Sequence, residues 1–210
     1  MFLFPGIGIS QEKPQPFFVF LNTNPDRDSL PKSVVQKLQE GHMANIERLA
    51  EAGSLIGAGP FHNGGGIFIM RGDSLNEIHN LLATDPAIGA NRFLIEVFPV
   101  TLEYGGICDA PDEYTMTSYQ FVRFRPKSDV KESSGEQDWQ AVPDHFQRKD
   151  SLIAVGRFEQ GSGGFAVFDK QDSTSLKQKI APGSKSLPSG YSVEFKRLWI
   201  ARETFCVPEK

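Results

Sequence analysis

At 210 residues the chain is one large domain or two small ones, and it is long enough to bury a substantial core. An apolar fraction of 39% with 23% charged residues excludes disorder as the main state. A net charge of −4 has the wrong sign for a protein that binds by neutralising phosphates, so nucleic acid is not an expected partner.

Residues 1–9 are apolar, lack a basic start and are broken by Gly6 and Gly8. Residues 1–16 therefore read as an N-terminal tail, or as the remnant of an export signal ending near Ser10. No run approaches the roughly 18 apolar residues of a membrane span, and no membrane partner is expected. The expected location is cytoplasmic, or periplasmic or exported if the tail is a signal remnant. Cys108 and Cys206 are too few for a disulfide framework or a four-ligand zinc site, and neither lies in a CxxC.

Residues 17–21 are an apolar run after Pro16 and before turn-prone residues, which predicts a strand. Residues 33–52 predict a helix, because Val35, Leu38, His42, Ile46 and Leu49 recur at steps of three and four before Gly53. Residues 54–61 and 66–71 predict a hairpin around Asn63-Gly64-Gly65, where glycine permits positive φ. Ser74 and Glu77 fit a capping box for a second helix with Leu75, Ile78, Leu81 and Leu82 on its apolar face and Pro86 at its end. Residues 91–100 close the unit as a strand. The order β-α-β-β-α-β is that of a ferredoxin-like unit.

The segment Ser54-Leu-Ile-Gly-Ala-Gly-Pro-Phe61 returns as Ser151-Leu-Ile-Ala-Val-Gly-Arg-Phe158, identical at five of eight positions and offset by 97. Each copy precedes a glycine-rich turn and an apolar run, which marks a tandem repeat. The second unit has a strand at 118–125 and a helix stripe of Trp139, Val142 and Phe146 that Pro143 should shorten. A hairpin at 151–168, a helix at 173–180 and a strand at 191–201 complete it. The organisation is thus a 17–104 unit, a 105–117 linker and a degenerate 118–205 unit. The expected fold class is α+β: two ferredoxin-like repeats packed sheet to sheet as an intramolecular barrel, a pseudo-dimer within one chain. Further self-association stays open. The 17 phenylalanines, mostly on predicted strands, fit a shared dry interior, with function left to the few polar residues turned toward it.

His42 lies on the apolar stripe of the first helix and so points at the sheet. Asp85 continues the face of the second helix into its last turn, where the dipole opposes a carboxylate. The alternative for Asp85 is a cap for a loop N–H before Pro86. If the two meet, Asp85 holds the imidazole tautomer and His42 acts as a general base. At the same offset of 97, His42 falls on Trp139, and the counterpart of Asp85-Pro86 is Ala181-Pro182, so the pair belongs to the first unit alone. His62 falls in the hairpin loop and reads as an exposed, solvated side chain, or as part of a pocket rim if the loop forms one. His79 and His145 read as helix-surface residues. No cofactor motif and no converging metal ligands are visible. Arg71-Gly72-Asp73 reads as a turn.

Gly41-His-Met-Ala-Asn through Ser54-Leu-Ile-Gly-Ala-Gly-Pro60, the following glycines, and Thr84-Asp85-Pro86 together resemble the YciI-like family of the dimeric α/β-barrel superfamily. Residues 17–100 carry the resemblance; residues 118–203 share it only through the repeat. The family's His and Asp-Pro aspartate, a proposed acid/base pair, correspond here to His42 and Asp85. The family resembles muconolactone isomerases and includes a chlorinated hydroquinone dehydrochlorinase. The resemblance implies a cofactor-independent isomerase or lyase acting on a small organic acid, lactone or related carbonyl compound. Gly59, Pro60, Phe61 and His62 would line its pocket. The alternative is a non-catalytic ligand-binding or scaffold protein with a relic site.

Overall fold

The computed structural model describes residues 15–127, 151–159, 161–169, 174, 176 and 190–207. The first part of the chain forms β1 (Pro16–Thr23), α1 (Lys32–Glu51), β2 (Leu55–Pro60), β3 (Gly66–Arg71), α2 (Leu75–Leu82), α3 (Pro86–Gly89), β4 (Phe93–Tyr104) and β5 (Gly106–Ile107). Then come β6 (Met116–Pro126), β7 (Leu152–Phe158), β8 (Gly164–Asp169), β9 (Tyr191–Ala201) and β10 (Phe205–Cys206). The result is an α+β fold with a largely antiparallel sheet and few helices. The expected 105–117 linker contains β5 and the start of β6. The helix predicted around Trp139 and the position of His145 lie outside the described residues. Of the predicted 173–180 helix, Thr174 and Leu176 are described, and both are helical.

Eight strands form one sheet in the order β2-β3-β1-β4-β7-β8-β6-β9, every neighbouring pair antiparallel. Its two ends meet. Phe61, just after β2, bridges Leu198 of β9, and the His62 N–H donates to the Arg197 carbonyl at 2.9 Å. Missing side chains let β9 cross here: a Cβ on Gly59 would sit 2.2 Å from the Trp199 carbonyl oxygen, and one on Gly57 2.7 Å from Thr204. These glycines of the Gly-x-Gly-Pro run close a barrel.

Side chains alternate across each strand, so β1 buries two faces at once. Phe18 and Phe20 face the lumen, packed with Phe121, Phe158 and Phe165. Phe17, Val19 and Leu21 face outward against Leu49 of α1 and Ile78 and Leu82 of α2. A third cluster, including Val122, Phe124, Phe168 and Leu176, covers the outer face of the second half. The lumen is aromatic, as the phenylalanine count suggests, but it is not purely apolar. Arg123 is 2% exposed, its guanidinium 3.9 Å from the Phe20 ring centre, and it makes paired bonds to Glu96 at 2.9 and 3.1 Å. Asn22 also donates to Glu96, and Arg125 links Glu96 to Glu194.

One bond that the sequence left open is present, and one further expectation is corrected. Cys108 and Cys206 are joined in a disulfide with Cα atoms 6.0 Å apart, beside the two-stranded pairing of β5 with β10. Sequence spacing could not show this, because the residues are 98 apart. The polar pair expected to face the shared interior lies instead outside the barrel, between the helices and the outer sheet face.

Candidate functional site

α1 carries an apolar stripe, yet only Asn45 and Leu49 of it are buried. His42 lies one turn before Ile46 on that stripe, with 12% of its side chain exposed. Its ring is held between Phe68 of β3, 5.7 Å away and nearly parallel, and Phe93 of β4 at 5.8 Å. The imidazole is therefore fixed by packing as well as by hydrogen bonding.

Asp85 is not in the last turn of α2, which ends at Leu82. It is the N-cap of the short α3, with Pro86 as the first helical residue, and its Oδ1 accepts from the Ala87 N–H at 2.9 Å and the Ile88 N–H at 3.3 Å. Asp-Pro here is cap followed by first-turn proline, a favoured start, so the dipole that would oppose a carboxylate at the end of α2 favours it at the start of α3. The other oxygen, Oδ2, lies 2.7 Å from His42 Nδ1. An ionised carboxylate only accepts, so Nδ1 carries the proton and Nε2 is the nitrogen left for a ligand.

Asp85 is 1% exposed. Burial pushes its carboxyl toward protonation, but the His42 hydrogen bond and charge, with the two α3 amides, outweigh this and hold it below the usual carboxylate range. Asn45, 6% exposed, lies behind the pair; its amide nitrogen is 3.5 Å from Asp85 Oδ2. Its carbonyl accepts from Arg48 at 2.8 Å and from the Thr84 hydroxyl at 2.9 Å. The sequence reading missed Asn45, though a polar residue three positions after His42 on the buried stripe is a visible signal.

His42 opens into a groove of about 1340 Å³ between α1 and β2, walled by the 109–114 segment and by Trp199. Gly59 and Pro60 line it; Phe61 and His62 do not. Phe61 is 6% exposed and packs in the barrel lumen at the closure, where it bridges Leu198. His62 is exposed in the hairpin loop, as is His79 on α2. Trp199, half-exposed on β9, is a groove residue that the sequence reading did not single out. Among the described residues no three His, Cys, Asp or Glu side chains converge on a metal position.

An antiparallel sheet of the ferredoxin-like α/β-barrel kind, with a helix-borne histidine locked to a capping aspartate beside an open groove, defines the class of protein. Residues 17–101 match the family model of the YCII-related domain. A solved structure from Lactobacillus acidophilus NCFM, described as a "putative monooxygenase", aligns with TM-score 0.50 at 12% identity over 94% of this chain and 100% of its own. A second so described, from Fusobacterium nucleatum subsp. nucleatum ATCC 25586, gives 0.46 at 9% identity over 95% and 99%. The 5-chloro-2-hydroxyhydroquinone dehydrochlorinase of Burkholderia phenoliruptrix AC1100, solved with 2,5-dihydroxybenzoquinone, gives 0.32 at 20% identity over 39% of this chain and 89% of its own. The first of these bears on the fold alone. No curated protein sequence matches the chain.

Proposed function

We propose that the chain is an acid/base enzyme of isomerase or lyase type, acting on a small organic acid, lactone or related carbonyl compound. The observation that carries this is the 2.7 Å contact between His42 Nδ1 and a buried, ionised Asp85. With Nδ1–H donated to Asp85, Nε2 takes a proton from carbon next to a carbonyl, and the electron pair left behind delocalises onto the carbonyl oxygen. The imidazolium formed is balanced by Asp85. Return of the proton at another carbon completes an isomerisation; departure of a β-leaving group with the electron pair completes an elimination. Neither needs an oxidant or reductant.

The test is deuterium exchange in heavy water against a panel of unsaturated five-membered lactones and cyclic ketones, followed by proton NMR. Exchange catalysed by the wild type and lost in His42→Gln supports the proposal; no exchange with any member, or undiminished exchange in the variant, counts against it. A binding or scaffold role is the second reading. It is favoured by the full structural employment of Asp85, both of whose oxygens already hold backbone or side-chain partners.

The barrel is, in this proposal, a tandem duplication folded as a pseudo-dimer of a 17–104 and a 118–205 unit. Its two closures support this. His62 N–H to Arg197 carbonyl in one has Glu159 N–H to Pro99 carbonyl, at 3.1 Å, as its counterpart, with offsets of 97 and 98 in the two chains of residues. The Phe61–Leu198 bridge matches the Phe158–Val100 pair in the same way. Cys108 and Cys206 then occupy equivalent positions bonded across the pseudo-twofold axis, an isologous contact within one chain. Of the compartments the sequence leaves open, this bond favours an oxidising one over the cytoplasm. No described helix is long and apolar enough to cross a membrane.

A further inference from the structure

We infer that the groove beside His42 takes ring-sized carbonyl compounds that carry no negative charge and turns away carboxylates and phosphates, which narrows the proposed substrates from organic acids to lactones and related carbonyl compounds; this rests on reading the groove as the ligand site. The charges that line it are unequal. Among the described residues Arg71 is its single cation, against Glu47, Glu51, Asp109 and Asp112. Arg71 is committed: it makes paired bonds to Asp109 at 3.0 and 3.1 Å and donates to the Gly53 carbonyl at 3.3 Å. An anionic ligand that drew Arg71 away would leave Asp109 beside it, so the exchange returns no net attraction.

Among the described residues no cation pairs with Glu47, Glu51 or Asp112. The His42–Asp85 pair does not offset them. It sums to zero when the imidazole is protonated and to −1 when it is not, so it never presents a net positive charge to the groove. The remaining surfaces suit a ring. Trp199 is 50% exposed, Met43 46% and Tyr114 54%, all beside the groove and all apolar or aromatic in their accessible parts. Rim acids that no described cation pairs weaken a bound anion by roughly fivefold at low salt relative to its neutral isostere.

The test uses three isosteric probes: benzamide, benzoate and benzamidinium. Each is titrated into the full chain while NMR follows the His42 ring and the Trp199 indole N–H, the latter assigned with Trp199→Phe. Benzamide and benzamidinium are expected to shift both signals, with benzoate binding about fivefold more weakly at low ionic strength and the difference shrinking in about 0.5 M salt. Glu47→Gln combined with Asp112→Asn is expected to narrow it in the same way. Benzoate binding as tightly as benzamide overturns the charge selection while leaving the groove as a ligand site. If none of the three shifts either signal, the ligand-site reading falls and the inference with it.

Discussion

Gly41 is the socket for Pro86: a Cβ at position 41 would lie 2.6 Å from the proline Cγ. The residue before the histidine thus receives the residue after the aspartate, and the two halves of the site are brought into register by a close contact between α1 and α3. Gly41→Ala should displace α3 and with it Asp85, because a ring carbon cannot swing aside as a flexible chain end can. The expected cost is about 1 to 3 kcal/mol, as for other overpacked sites. Urea unfolding measures that cost, and a changed His42 Nδ1–H resonance reports the disturbed pair. Pro86→Ala should recover part of the loss when combined with it, and strict additivity of the two would disprove the socket.

Asp85→Asn retains an oxygen for the α3 amides but removes the charge facing His42. Asparagine caps helices as well as aspartate does, so the cost at neutral pH should come mainly from the His42 bond, about 1 to 3 kcal/mol. Asp85 is held below its ordinary value of 3.8 in the folded chain. A lowered carboxylate contributes stability above the unfolded pKa and loses it as pH falls through the folded one. The difference between wild type and Asp85→Asn, measured by urea midpoints, should therefore be full near pH 7 and shrink below pH 3.8. A difference that grows in acid would contradict the ionised pair.

Glu96 gives a second acid-sensitive element, in the barrel lumen. Burial pushes its carboxyl up, but the paired bonds and charge of Arg123, with Asn22 and Arg125, pull it from 4.5 down to about 2. The stability it contributes is complete above pH 4.5 and disappears as pH falls toward 2. That contribution is about 3 kcal/mol. Glu96→Gln should cost more than this at neutral pH, about 3 to 5 kcal/mol, because it leaves Arg123 buried without its counter-charge. The variant should also flatten the acid limb of the stability curve, which a pH series of thermal melts checks.

The strands, α1 and the hairpin were legible because their signals are local. Apolar runs bounded by glycine and proline fix β1 to β3, and the stripe from Val35 to Leu49 fixes α1. The Ser74–Glu77 cap is present as expected, with the Ser74 hydroxyl accepting from the Glu77 N–H. The role of Asp85 was misread because Asp-Pro both ends one helix and starts the next, and only the chain direction after Pro86 decides between them. The side of the sheet carrying His42 was misread for a different reason. β1 is apolar on both faces, so alternation cannot say which face meets the helix and which the lumen. The Arg123–Glu96 pair and the disulfide join residues 27 and 98 positions apart, and no periodicity within one strand encodes such a partner.

The disulfide closes a long loop, so its removal should release much chain entropy in the unfolded state. Cys108→Ser with Cys206→Ser should lower stability by about 2 to 4 kcal/mol, and reduction of the wild type should do the same. Ellman titration of the unfolded wild type without reductant should find no free thiol; two free thiols would refute the bond and remove the argument for an oxidising compartment.

Gly59 offers the sharpest test of barrel closure. Its neighbour across the seam is backbone, the Trp199 carbonyl oxygen at 2.2 Å from a Cβ, and the backbone of β9 cannot give way without disturbing its pairing with β6 or the Phe61–Leu198 bridge that closes the seam. Gly59→Ala should therefore cost more than about 3 kcal/mol or prevent folding, whereas Gly89→Ala, with nothing within 4 Å of its Cβ, should change stability by less than about 1 kcal/mol. Hydrogen exchange separates the seam from a general loss of packing. In Gly59→Ala folded at low temperature, the His62 amide, which donates to Arg197, should lose protection first, while the β1–β3 amides keep theirs. Uniform loss across all strands would mean that Gly59 serves the core as a whole and not the closure.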